Sequence, residues 1–130
     1  MNLVEVMVAG AVFALAVGAS AHLWAAAATA NQQGEWRQSQ LQAIERDRLQ
    51  LQAAWSSQPP QVSCAVALQQ MQGLAAQRPA GAGWSRGLAL SPEGDLLHVQ
   101  WSSSDGVLQR QRLYAPAALG LCDGASEAAG

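Results

Sequence analysis

The side chains able to do chemistry in this chain are few and scattered. His22 lies inside an uncharged apolar run and His98 in a stretch of alternating apolar and polar residues. Neither belongs to a Ser/His/Asp set, and there is no phosphate-cradling glycine loop, no GxGxxG run and no cluster with metal-ligand spacing. The expectation is a protein that is not an enzyme and takes no cofactor or metal. Glu93 and Asp95 flank Gly94 and could contribute to a calcium site, but the ion takes roughly six to eight oxygen ligands, so a solvated turn is the better reading. His22 reads as a hydrogen-bonding or helix-interface residue. Cys64 and Cys122 stand 58 positions apart, a spacing that fits neither a CxxC redox pair nor a zinc site. They are expected to form a structural disulfide, which persists in oxidising compartments and on the chain-entropy model stabilises a domain by about 4 kcal/mol.

The remaining residue of chemical interest is Glu5, at the head of an apolar run. No side chain from Val6 to Ala30 is ionised at neutral pH, and 25 such residues in a helix extend about 37 Å, more than the ~30 Å hydrocarbon core of a bilayer. This segment is expected to span a membrane. The first basic residue is Arg37, so the positive leader of a cleavable secretory signal is missing. A carboxylate costs about 3 kcal/mol at the centre of a membrane helix and less near its end. It therefore calls for a cation, and a free α-amino group, positive below about pH 8, is the candidate, from the same chain or a neighbour. Gly10, Ala14 and Gly18 recur every four positions, a stripe of small residues that lets another helix approach closely; His22 extends it.

Read from Met1, the run Met1-Asn2-Leu3-Val4-Glu5-Val6-Met7-Val8-Ala9, followed by Gly10-Ala11-Val12-Phe13-Ala14-Leu15-Ala16, resembles the mature N-terminus of type IV pilins and type II secretion pseudopilins. The resemblance implies cleavage by a prepilin peptidase after a leader glycine, N-methylation of Met1, and pairing of Glu5 with the N-terminal amine of an adjacent subunit. It places the start of the numbering at the mature residue, or else at a misplaced start codon. It also implies that the partners are other pilin or pseudopilin subunits and the inner-membrane assembly platform, with membrane lipid around the helix before assembly. Met1 stands where phenylalanine is commonest in the family, and His22 where many major pilins carry a helix-kinking proline. The wording is closer to minor pilins and pseudopilins than to major subunits. The expected location is the bacterial cytoplasmic membrane, single pass with an extracytoplasmic head, and then a periplasmic or cell-surface filament. Two alternatives stand beside this: a major filament subunit, and a single-span anchored binding module.

The elements that must position these residues follow from composition. Seven basic residues, all arginine, and nine acidic ones give a net charge of −2, which does not favour direct nucleic-acid binding. Residues 1–30 form the apolar helix and 31–57 its amphipathic continuation, with Leu41, Ile44, Arg48, Leu51 and Trp55 on one face and Glu45, Asp47, Arg37 and Gln50 on others. Pro59-Pro60 ends the helix. Residues 58–130 are expected to form a small head: a short helix over 63–77 with Val66, Met71 and Leu74 among its apolar positions, and three strands at 84–90, 96–102 and 107–114. Pro92 and the pair Asp105-Gly106 mark the turns between the strands. Leu97, Val99 and Trp101 share one face of the middle strand, and Trp84 and Trp101 are expected to pack on the helix. Residues 115–130 read as irregular, fraying after 125. The fold class is α+β, pilin-like: a long N-terminal helical spine, membrane-spanning in its first half, on a three-stranded antiparallel sheet with a disulfide-bounded C-terminal loop.

Overall fold

The computed structural model describes residues 2–124. The chain divides into two compact units, 1–38 and 39–130. Helix α1 (Leu3–Ser56) begins in the first and ends in the second.

In the first unit the chain is entirely helical from Leu3, as a run rich in alanine and leucine favours. The carbonyl of Asn2 accepts the amides of Glu5 and Val6 at 2.9 and 3.3 Å, so Glu5 sits in the first turn, where the helix dipole stabilises an acid. The Ser20 and Thr29 hydroxyls donate to the carbonyls of Ala16 and Ala25 at 2.8 and 3.0 Å. Both polar groups are thereby satisfied inside the helix, as an apolar surrounding requires. The segment is long and apolar enough to cross a membrane, and none of its apolar window is buried.

The second unit is built on the last turns of α1. Ile44, Leu51 and Trp55 are buried there, on the expected stripe, and the helix stops before Pro59-Pro60. Helix α2 (Cys64–Gln77) is capped by Ser63, whose hydroxyl accepts the Val66 amide at 3.3 Å. Its inward face is Cys64, Ala67, Leu68, Met71 and Ala75. Val66, one of the apolar positions read from the sequence, faces out at 43% exposure, because the capping turn places it one step off the Cys64–Ala67–Met71 row.

Strands β1 (Trp84–Leu90), β2 (Leu97–Ser103) and β3 (Gln109–Tyr114) form an antiparallel sheet in that order. Leu97, Val99 and Trp101 are buried together with Trp84, and they join Ile44, Leu51, Trp55, Leu68 and Met71 in one core. The Trp55 indole donates to the Met71 carbonyl at 3.0 Å, and its ring meets Tyr114 edge-on at 4.9 Å.

Strands β2 and β3 begin one and two residues later than expected, and the turns explain why. The Ser91 hydroxyl takes the Leu96 amide at 3.1 Å, and in the second turn Asp105 and Ser103 take the amides of Val107 and Leu108 at 3.1 and 3.0 Å. Those amides serve the turns instead of the ladder. Gly106 is left-handed at φ 72°, and among the described residues no non-glycine residue has positive φ. The Asp105-Gly106 turn, expected from the sequence, therefore takes one such angle, at its glycine.

The Cys64–Cys122 disulfide is present, with Cα atoms 5.1 Å apart. Beside it the Gln61 amide donates to the Leu121 carbonyl at 2.6 Å. A 3-10 turn (Ala117–Leu119), not anticipated in the irregular tail, follows buried Pro116. Residues 125–130, expected to fray, lie outside the described residues, as does Met1.

Candidate functional site

The expected assembly residues lie on the first unit's helix. Glu5 is exposed in its first turn, and no ion pair to it occurs among the described residues. Its proposed counterpart, the Met1 amine, is outside those residues. Gly10, Ala14 and Gly18 are all exposed, and a Cβ added at either glycine would meet nothing within 4 Å. The stripe of small residues is thus open on the helix surface. Around it Leu3, Phe13, Leu15, Leu23 and Trp24 are each more than 70% exposed, a contiguous apolar surface far beyond what a soluble monomer shows to water. His22 is exposed on the same helix.

The second unit contains a polar centre that sequence reasoning missed. The Arg86 guanidinium on β1 donates to both carboxylate oxygens of Asp47 on α1, at 2.6 and 2.8 Å. It also donates to the carbonyls of Ala75 and Arg78 at the end of α2, at 2.7 and 2.5 Å. The Trp101 indole on β2 donates to Asp47 at 2.8 Å. The side chains of Arg86 and Asp47 are only 4% and 11% exposed. One ion pair thus ties two helices and two strands, and its carboxylate and two helix-terminal carbonyls are satisfied together. The sequence pattern puts Asp47 on a face other than the apolar stripe of α1, and the structure corrects this. Asp47 lies three residues after Ile44 and four before Leu51, which is the buried stripe itself, and strand alternation puts Arg86 inward between Trp84 and Leu88. An inward acid opposite an inward arginine was the available signal.

A second polar group lies on the flank of α1 facing β3. Arg48 holds Glu45 through Nε at 2.9 and 3.0 Å and reaches Gln52 at 3.3 Å, so its charge is at the rim as expected from its place on the stripe. The Arg48 hydrogen bond lowers the Glu45 pKa, with smaller contributions from Arg112 and Arg110, while the same pairing raises that of Arg48. Burial raises the Tyr114 phenol, and the nearby Arg48 charge opposes the rise. The Tyr114 hydroxyl is buried without a hydrogen-bond partner of good geometry.

On the outer face of the sheet, Ser85 and Ser102 are hydrogen-bonded at 2.9 Å, and His98 pairs with Gln111 at 2.9 Å. Glu93 and Asp95 are exposed at the β1–β2 turn, and no three His, Cys, Asp or Glu side chains gather as a metal cluster among the described residues.

No protein-family model, curated protein or solved structure matches the chain. The geometry itself offers an exposed apolar helix long enough to cross a membrane and a second unit cross-braced by a disulfide and a buried ion pair.

Proposed function

We propose that the chain is a structural subunit of a type IV pilus or a related type II secretion filament, a minor pilin or pseudopilin assembling through its N-terminal helix. The observation that carries this is the fully exposed apolar helix with an acid in its first turn, running on without a break into a disulfide-braced head. The helix holds the subunit in the cytoplasmic membrane with the head outside. It then leaves lipid for a bundle of like helices, where the stripe at Gly10, Ala14 and Gly18 admits a neighbour and Glu5 pairs with a neighbour's N-terminal amine. In an apolar bundle that pairing sets register, because an unpaired carboxylate there is costly.

The experiment exchanges residues 1–30 for an unrelated apolar helix of equal length. The exchanged protein is expected in the membrane at the normal level but absent from sheared filaments. A protein that served only as an anchored binding module would keep its activity after the exchange.

A further inference from the structure

The head carries two surfaces of opposite charge, and neither arginine of the second lines the cavity of the first. The first is a cavity of about 480 Å³ between the first turn of α2, the β1–β2 turn and the loop after β3. Its walls include Leu68, Leu96 and Pro116, and among the described residues its carboxylates are Glu93 and Asp95 and no cation lines it. The Ser91 hydroxyl donates to Asp95 at 2.7 Å and so holds that carboxylate in place. Its volume falls in the range of ligand pockets, about 300–1,000 Å³. Apolar walls with carboxylates beside them match an arginine side chain, which has an apolar stem and a cationic fork.

The second surface is the flank of β3. Arg110 and Arg112 stand opposite Trp101 and Val99 in the sheet register, so both point to the α1 side of the sheet. Both are exposed. The carboxylate whose titration they influence, Glu45, is already held through both oxygens by Arg48. Three arginines therefore share one acid, and the flank is left positive.

We propose that the heads of neighbouring copies are joined by Arg110 and Arg112 of one copy entering the Glu93/Asp95 cavity of the next. This rests on the filament reading above and adds the head contact to it. Because cavity and arginines are different patches, the contact is heterologous. Each added copy leaves one of each surface free, as open-ended growth requires.

The chain contains no lysine, which makes the contact directly readable. In full-length protein, Arg110→Lys with Arg112→Lys introduces the only side-chain amines. A carbodiimide activates a carboxylate and is lost as a urea when the amine attacks, leaving an amide bond. Filaments of this variant are expected to give a ladder of covalent oligomers whose joined peptides pair position 110 or 112 with Glu93 or Asp95. The ladder should vanish when Glu93→Gln and Asp95→Asn are added. Filaments that form but yield no such peptide overturn the head contact alone; a wild-type chain that forms no filaments overturns the assembly reading with it. Should the lysine variant not assemble, Arg110→Glu with Arg112→Glu is expected to lower filament yield about tenfold through like-charge repulsion. Adding Glu93→Arg with Asp95→Arg should restore the yield, and a failure to restore it overturns the contact.

Discussion

Asp47 and Arg86 show how one charge pair can hold a small head together without adding much net energy to it. Two buried ions repay their desolvation only when the remaining hydrogen-bonding capacity is also used. Here Trp101 completes Asp47, and the α2 carbonyls complete Arg86. Asp47→Ala or Arg86→Ala should each cost about 3–5 kcal/mol, because each leaves an opposite charge buried alone. The double replacement Asp47→Leu with Arg86→Met should cost much less than either. Denaturant unfolding of the full chain in detergent, followed by tryptophan fluorescence, measures this. Equal losses in single and double variants would mean that the pair matters only for its packing.

Among the elements, the disulfide is the closure between α2 and the loop after β3, and the Gln61–Leu121 hydrogen bond lies against it. Cys64→Ala with Cys122→Ala is expected to lower head stability by about 4 kcal/mol, the closure entropy of a loop of this length. The midpoint of denaturant unfolding should fall accordingly, and an unchanged midpoint would show that the ladder and core hold the loop unaided. The same elements show what the sequence makes legible. Pro59-Pro60 and the alternation of Leu97, Val99 and Trp101 announce themselves through local rules of chain stiffness and period. Strand starts at Leu97 and Gln109 do not, because they depend on whether a turn side chain or a neighbouring strand wins an amide. The Asp47–Arg86 centre was illegible for a related reason. Each partner viewed alone is a polar residue that belongs in water, and only the tertiary meeting of α1 with β1 makes burial affordable. The cavity at Glu93 and Asp95 likewise needs three elements in place, so two acids beside a glycine read simply as a turn.

At the scale of the whole molecule, the first unit's helix leaves its apolar surface exposed, while the second unit buries its own core and, apart from the Asp47–Arg86 pair, keeps most of its charges exposed. A membrane alone could cover the helix. On the proposed reading Glu5 and the small-residue stripe meet protein neighbours, and Glu5 also has a local role, since an acid in the first turn favours helix formation. Glu5→Gln removes the charge that both roles use, so comparison at equal membrane levels is needed to correct for any loss of the first helical turn. The decisive measurement is the amount of Glu5→Gln protein in sheared filaments relative to wild type at equal membrane levels. The assembly account predicts a loss of about tenfold or more, since a neighbour's amine would be left unpaired in an apolar bundle. Incorporation at the wild-type level would contradict it.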